Sequence, residues 1–450
     1  MFVDYLESIF KANSDKPAII WNDQYFKYDQ LIAMINKASA FIVEHNIQPG
    51  DVVALQGDFT PNTIAIMIAL IKHRNIIVPL NATLKASEVK KFDIAEVEKI
   101  IIVDILLDEY KLEEYHRKAV HLFYQELRER KTAGLVLFTS GTSGEPKAAV
   151  HDFEKLLQKF TSLRQAFKTV NFLLFDHWGG LNTLFHTLSN AGVVMATKDR
   201  TPEAVCRYIE KYQIELLPVS PSFLNLLILS ECYKQYDLSS LKLITYGTEP
   251  MPDTTLKRAK QLFNKVTFQQ TYGLIELGVL RSKSKSDDSL WLKLGGEGFD
   301  LRVVDNILQI KAASAMLGYL NAPSPFTDDG YFITGDKVET DGEYMKILGR
   351  ESEIINVGGD KVYPQEVENI ILGIDNVLDA VVFGEKHVLV GNIVCARVVL
   401  KIPEDEKEAI KRIRMYCKQK LQNFKVPVKI FIEENSLHNE RFKKKRSNIN

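Results

Sequence analysis

The 450-residue chain predicts a layered α/β protein, followed by a small β-rich piece and a compact α+β module. Three observations carry that expectation. Strand-length apolar runs alternate with helix-length amphipathic ones from residue 17 to about 270, the pattern of strands joined by helical crossovers. Beyond a polar break at 283–289, short strand-like runs are separated by Gly and Asp turns. The last hundred residues mix both kinds of element. The length exceeds one ordinary domain. We place an N-terminal domain at residues 1–350 and a C-terminal one at 351–450.

Taken in order, residues 18–21 read as a strand and 25–28 as its hairpin partner. Residues 28–44 have helical spacing, with Leu31, Ile32, Ile35, Ala38 and Ile42 on one side. Gln48-Pro49-Gly50-Asp51 is a turn, and strands at 52–55 and 76–80 flank a helix at 61–72. Its apolar run, 64–71, is broken by Lys72 and is too short to span a bilayer. A strand at 100–103 precedes a charged helix ending at 128–131. Residues 135–138 form a strand, 153–167 a helix, 172–175 a strand, 181–190 a helix and 193–196 a strand. Segments 202–212, 214–220, 222–229 and 241–246 continue the alternation to helix 252–263 and strand 266–270. The β-rich piece holds strands at 299–304, 307–311, 331–332 and 344–348. The last module has helices at 364–372 and 405–421 and strands at 378–383, 392–400 and 428–432.

Hydrophobic residues make up 46% of the chain, ample for a sizeable core. Lys+Arg at 57 against Asp+Glu at 58 leaves no net field to draw it to nucleic acid or anionic lipid. Cys206, Cys232, Cys395 and Cys417 lie far apart, without metal-ligand spacing, as free thiols of a reducing compartment do. The N-terminus lacks a basic-then-apolar leader, so a cytoplasmic location is expected.

The chemistry concentrates at 135–150, LVLFTSGTSGEPKAAV. An apolar strand empties into Thr139, Ser140, Gly141, Thr142, Ser143 and Gly144, then Glu145, Pro146 and Lys147. Glycines let backbone N–H groups approach an anion closely. Hydroxyls add donors, and Lys147 adds a point charge suited to phosphate. It is not a G-x-x-x-x-G-K-[ST] loop, because Pro146 stands where the second glycine belongs. Further along come Tyr272-Gly273-Leu274-Ile275-Glu276, Thr334-Gly335-Asp336, Gly349-Arg350 and VGGDKVYPQEVE at 357–368. Each alone is unremarkable: a Thr-Gly-Asp after a strand is usually a turn.

As an ordered set, TSGTSGEPK, YGLIE, TGD and GRESEIINVGGDKVYPQEVE resemble the adenylate-forming superfamily of acyl-CoA synthetases, peptide-synthetase adenylation domains and firefly luciferase. The resemblance runs from about residue 17 to the C-terminus. It implies a large N-terminal domain and a small mobile C-terminal one, hinged just after Arg350. It implies ATP and Mg²⁺ as cofactors. A small carboxylic acid is the substrate, and CoA or the phosphopantetheine of an acyl or peptidyl carrier protein the acceptor thiol. The acid first becomes an acyl-adenylate with loss of pyrophosphate, and the thiol then displaces AMP.

Roles implied by the resemblance fall on residues of this chain. Thr139 to Lys147 would hold the β- and γ-phosphates, and Glu276 would ligate Mg²⁺, for which a carboxylate is a suitably hard donor. Tyr272 and Gly273 would flank the adenine and acyl-adenylate, with Gly247, Thr248, Glu249 and Pro250 against the adenine and acyl pocket. Asp336 would accept both ribose hydroxyls, with Arg350 as a second ribose contact. The loop at Gly359 would line the thiol tunnel, and Lys443 would be the catalytic lysine of adenylation. His177, in Asp176-His177-Trp178-Gly179-Gly180-Leu181-Asn182, matches the histidine at the carboxylate pocket of acyl- and aryl-CoA ligases. The alternative, amino-acid activation, would use Asp176 for the substrate ammonium. Three positions depart from the pattern: Ile275 for a Thr or Ser, Ser352 for the hinge Asp or Lys, and Phe442 for the Gly before the lysine. The first and last leave a catalytically impaired nucleotide-binding homologue as a further reading. The basic run at 441–446 is either a solvated tail or a patch for a CoA phosphate or an acidic carrier.

Overall fold

Two seven-stranded sheets enclose a strongly apolar helix. The structure, a computed structural model, describes residues 2–82, 89–115, 117–140, 145–286, 288–434 and 437. One sheet runs in the order Thr267–Gln270, Leu243–Tyr246, Leu216–Val219, Lys168–Asn171, Val193–Ala196, Pro17–Trp21, Gln24–Lys27. All its pairings are parallel except the closing hairpin. The other runs Gly318–Tyr319, Pro146–Asp152, Gly134–Ser140, Ile76–Asn81, Val52–Gly57, Lys99–Val103, Tyr110–Glu114. Its centre is parallel. Strands covered on both faces have no polar side, and Leu216–Val219 and Val193–Ala196 are buried at every position.

Between the sheets lies the helix Pro61–Lys72, buried at every position from Pro61 to Ile71 except Asn62. Its start is written locally: Pro61 occupies the first turn, and the Thr60 hydroxyl accepts from the Thr63 N–H at 3.2 Å. One apolar cluster joins this helix to both sheets. At its entrance the Arg200 guanidinium grips the Asp58 carboxylate with Nη1 and Nη2 at 3.1 Å each and donates Nε–H to the Phe172 carbonyl at 2.7 Å. The loops that leave the two sheets are thereby pinned together.

A six-stranded antiparallel sheet follows, ordered Arg281–Ser284, Leu292–Gly295, Tyr344–Arg350, Phe332–Asp341, Ile307–Ala312, Phe299–Val304. The last module folds around Gly391–Leu400, which pairs with Val377–His387, Ile355–Val357 and Lys429–Glu433. Its core, from Ile355 to Ile430, is a cluster drawn entirely from residues after 350. Among the described residues no helix is long and apolar enough to cross a membrane.

Several local expectations change. A helix at Phe2–Ala12 was not read from the sequence. It buries Phe2, Val3, Leu6 and Phe10, and Phe2 meets Phe185 edge-on at 5.7 Å. The helix expected over 153–167 is only Phe153–Leu157 with a single 3₁₀ turn at Gln158–Phe160, since 161–166 are all exposed and offer no face to bury. The strand expected at 172–175 is Lys168–Asn171, because that is the stretch in register with Val193–Ala196. Phe172 and Phe175 are buried from a loop. Pro146–Asp152 is a strand, not part of a loop leading to a helix.

Arg200→Ala removes a half-buried bidentate pair and a carbonyl's donor, and leaves Asp58 uncompensated. It should destabilise the fold by about 2–3 kcal/mol, read as a lower denaturant midpoint with an unchanged slope.

Candidate active site

Parallel strands present their C-terminal ends on one edge, and loops leaving that edge are where α/β proteins build sites. Here the loops after Lys168–Asn171, Leu243–Tyr246 and Thr267–Gln270, with the end of Leu216–Val219, line one cavity of about 490 Å³. Its other wall comes from the hairpin of Gly134–Ser140 with Pro146–Asp152 and from the antiparallel sheet.

Gly247 ends Leu243–Tyr246 at a crossing with the next loop. A β-carbon there would stand 2.4 Å from Thr271 Oγ1 and 2.6 Å from the Thr271 carbonyl oxygen, so only glycine fits. Thr248 follows with φ +72°, a strained value for a β-branched residue, and it lines the cavity. The Glu249 carboxylate accepts from the Ser222 N–H at 2.7 Å, in the first turn of the helix Pro221–Ser230.

Tyr272 donates its hydroxyl to Asp336 Oδ2 at 2.6 Å, and Arg350 Nε stands 3.5 Å from Oδ1. Asp336 and Arg350 face each other across an antiparallel ladder, whereas Tyr272 arrives from the parallel sheet. Burial pushes the Asp336 carboxyl up from its ordinary value, while Arg350 and the Tyr272 hydrogen bond pull it down. Burial and the Asp336 charge together hold the Tyr272 phenol well above its usual range.

The hairpin register puts Lys147 opposite Thr139, both lining the cavity. Lys147 Nζ lies 5.5 Å from the centre of the Tyr319 ring. The Tyr319 hydroxyl donates to the buried Glu276 carboxylate at 2.6 Å. Burial and the Glu276 charge raise the Tyr319 phenol. Among the described residues no cluster of three or more His, Cys, Asp or Glu could hold a metal. Glu276 is a single buried carboxylate. That fits a Mg²⁺ which keeps phosphate oxygens and waters as its remaining ligands, and does not fit an all-protein cage.

His177 caps the helix Trp178–Ser189, its Nδ1 accepting from the Gly179 N–H at 3.3 Å. That assignment puts the ring proton on Nε2. His177 lines the cavity; Asp176 is buried and does not. Gly273 lines it as well. Gly359, by contrast, sits on an exposed turn at φ +100°, away from this cavity, where Gln365 and Glu353 of the C-terminal module stand instead. Gly141, Thr142, Ser143, Gly144, Lys443 and the side chain of Ser140 lie outside the described residues. Tyr319, Gln270 and Asn182 line the cavity without having been singled out. Asn182 and Gln270 lie beside quoted motifs without a role in them, whereas Tyr319 arrives only through its pairing with Ala149.

A cavity at the C-terminal edge of a parallel sheet, lined by a hairpin lysine and two buried carboxylates each bonded to a tyrosine, is the kind of site an enzyme uses for a charged substrate. The chain belongs to the AMP-binding enzyme family: the family model matches residues 6–298, and the model of the family's C-terminal domain matches 366–443. It is an adenylate-forming ligase. It is 23% identical over 457 residues to 2-succinylbenzoate–CoA ligase of Listeria monocytogenes, covering 96% of this chain and 95% of that protein. It is 30% identical over 323 residues to acyl-CoA synthetase 7 of Caenorhabditis elegans, 64% of this chain but 59% of that one. The fold is shared with the anthranilate CoA ligase AuaEII in complex with anthranoyl-AMP (TM-score 0.83, 19% identity, 98% and 95% of the two chains). It is shared likewise with ATP-bound MatB from Rhodopseudomonas palustris (TM-score 0.81, 21% identity, 98% and 97%).

Tyr319→Phe deprives the buried Glu276 carboxylate of its donor. The cost should be about 1–3 kcal/mol of stability, which urea titration would register as a lower midpoint with an unchanged slope.

Proposed function

We propose that this enzyme activates a small carboxylic acid, not an amino acid, with ATP and passes the acyl group to CoA or a phosphopantetheine thiol. The observation that carries the choice of acid is that His177 lines the cavity and Asp176 does not.

The chemistry follows from leaving groups. A carboxylate cannot be attacked usefully by a thiol, since oxide would have to leave. One carboxylate oxygen therefore attacks the α-phosphorus of ATP, the bond from that phosphorus to the bridging oxygen breaks, and pyrophosphate departs. The thiol sulfur then bonds to the acyl carbon, loses its proton, and AMP leaves. The hairpin at 139–147 would hold the triphosphate tail, Lys147 supplying its charge. Asp336 would accept the ribose hydroxyls, with Tyr272 and Arg350 keeping its carboxylate oriented and anionic. A Mg²⁺ at Glu276 would neutralise phosphate charge. His177 would donate Nε2–H to the acid. Lys443 would face the α-phosphate in the first step. We take the domain boundary to lie after Arg350, where Glu351–Glu353 forms a short turn. Rotation there would exchange Gln365 for Gly359 at the cavity. A cytoplasmic setting, consistent with four free cysteines, belongs to the same reading.

Pyrophosphate release over a panel of acids, with and without CoA or a phosphopantetheine thiol, tests this. AMP and pyrophosphate should form together, and ADP as the product would reject it. Lys443→Ala should slow adenylation by about 100-fold or more while sparing thioester formation from supplied acyl-adenylate; equal loss of both steps would remove its assignment. Asp336 must be anionic to accept two hydroxyls, and its carboxyl is raised. ATP affinity should therefore fall on acidification at a pH above the ordinary carboxylate range. Tyr272→Phe withdraws a donor that favours the anion, so that fall should move to higher pH, as calorimetric titration would record.

A further inference from the structure

On the side of the cavity taken as its acyl end the walls are largely apolar, formed by Leu173, Trp178, Leu274, Ile275 and Val279, with Asn182 and Thr183 beside them. Behind Asn182 stands a cation. Lys159 Nζ donates to Asn182 Oδ1 at 2.5 Å and to the Val279 carbonyl at 3.1 Å. It also lies 5.7 Å from the centre of the Trp178 ring and 4.9 Å from that of Phe160. All its partners are neutral. Among the described residues no carboxylate forms an ion pair with it, although lysines withdrawn from water are ordinarily paired.

The surrounding field has the same sign. Desolvation, with Arg164 adding to it, pulls the Lys159 ammonium down to about 7. Burial holds the His186 imidazole at about 4, and Arg164 and Lys159 add to the effect. The charges that add to desolvation at these two groups are positive, so an anion entering this end would meet no opposing carboxylate paired with Lys159 among the described residues. Asn182 sits between that charge and the cavity. With its oxygen turned to Lys159, its amide donors are left for whatever occupies the cavity.

We infer that the acid activated here carries a second anionic group, seated at the Asn182–Val279 end of the cavity by the Asn182 amide, which the Lys159 ammonium behind it orients and polarises. This rests on the reading of the cavity as the site of acid activation. The spacing limits the substrate. His177 and Asn182 lie five residues apart at the start of one helix, about 7.5 Å along its axis. A short aliphatic or monocyclic diacid spans that distance, with its reacting carboxylate at His177 and the other at Asn182. A long fatty acid would bury an alkyl chain against an unpaired ammonium.

The test uses pairs of acids on one skeleton, each diacid matched with a monoacid that bears methyl in place of the distal carboxylate. Pyrophosphate release is measured for the wild type, Lys159→Met and Lys159→Arg. The wild type should favour the diacid in kcat/KM by about 10- to 100-fold, the range for one desolvated charge-assisted contact. Lys159→Met should collapse that ratio or invert it, and Lys159→Arg, which keeps the charge, should retain most of it. A wild type that favours the monoacids overturns the inference. So does a ratio that is the same in all three proteins, which would make Lys159 a brace between Asn182 and Val279. Turnover of monoacids alone leaves acid activation standing and removes only this proposal. No pyrophosphate from any acid would reject the activation reading, and this one with it.

Discussion

A carboxylate taken out of water needs donors, and Asp336 collects them from parts of the chain that are otherwise independent. Arg350 faces it across the antiparallel ladder, and the Thr334 hydroxyl accepts its backbone N–H at 2.9 Å. Tyr272 comes from the loop that leaves the last parallel strand, so its hydroxyl locks the small antiparallel sheet against the edge of the large one. Without that donor the Ser282 hydroxyl on the Gln270 carbonyl would remain as a polar tie at the sheets' edge, but the cleft between them would rest mainly on apolar packing, which is tolerant of small slides. A short, directional bond to a buried charge is not tolerant of slides.

The same device recurs at Glu276. Its donor, Tyr319, sits on a two-residue strand paired with Ala149, and the face of its ring carries the Lys147 ammonium. Two buried carboxylates, each held by a tyrosine, thus order the charges on one side of the cleft. The side of Asn182 is built the opposite way, with a cation behind largely apolar walls and no carboxylate paired with it among the described residues. That asymmetry suits a reaction in which phosphate charge must be balanced on one side and an acid admitted on the other.

Much of the fold could be read directly from local pattern. Strands such as Val193–Ala196 and Leu216–Val219 are short, uninterrupted apolar runs, and helices such as Pro202–Tyr212 carry their cap and proline in the first turn. The misreadings share one cause. Phe172 and Phe175 look like strand residues because they are apolar, but burial does not require a strand, and the register with Val193–Ala196 ends at Asn171. Residues 153–167 have helical spacing, yet beyond Phe160 nothing lies over them to pack against. At the site, Asp336, Glu276 and Lys147 were legible because spaced motifs surround them. Tyr319 and Lys159 were not. A tyrosine and a lysine in unmarked surroundings gain meaning only from what the tertiary fold sets beside them, and Asn182, though next to a motif, gains its role only from Lys159.

By itself the amino-acid sequence determined the class of chemistry: a hydroxyl- and glycine-rich turn closed by Lys147, with carboxylates at fixed positions downstream, suits a nucleotide's phosphates and little else. It also determined which segments could be buried, since apolar periodicity is a local property. Tertiary structure decided which of two adjacent residues, Asp176 or His177, faces the cleft, because that depends on where Trp178–Ser189 begins and what it packs on. It decided too that Lys159 stands behind Asn182 with no counter-charge among the described residues. The physical reason is that electrostatic partnership depends on distance through space, and distance along the chain carries almost none of that information.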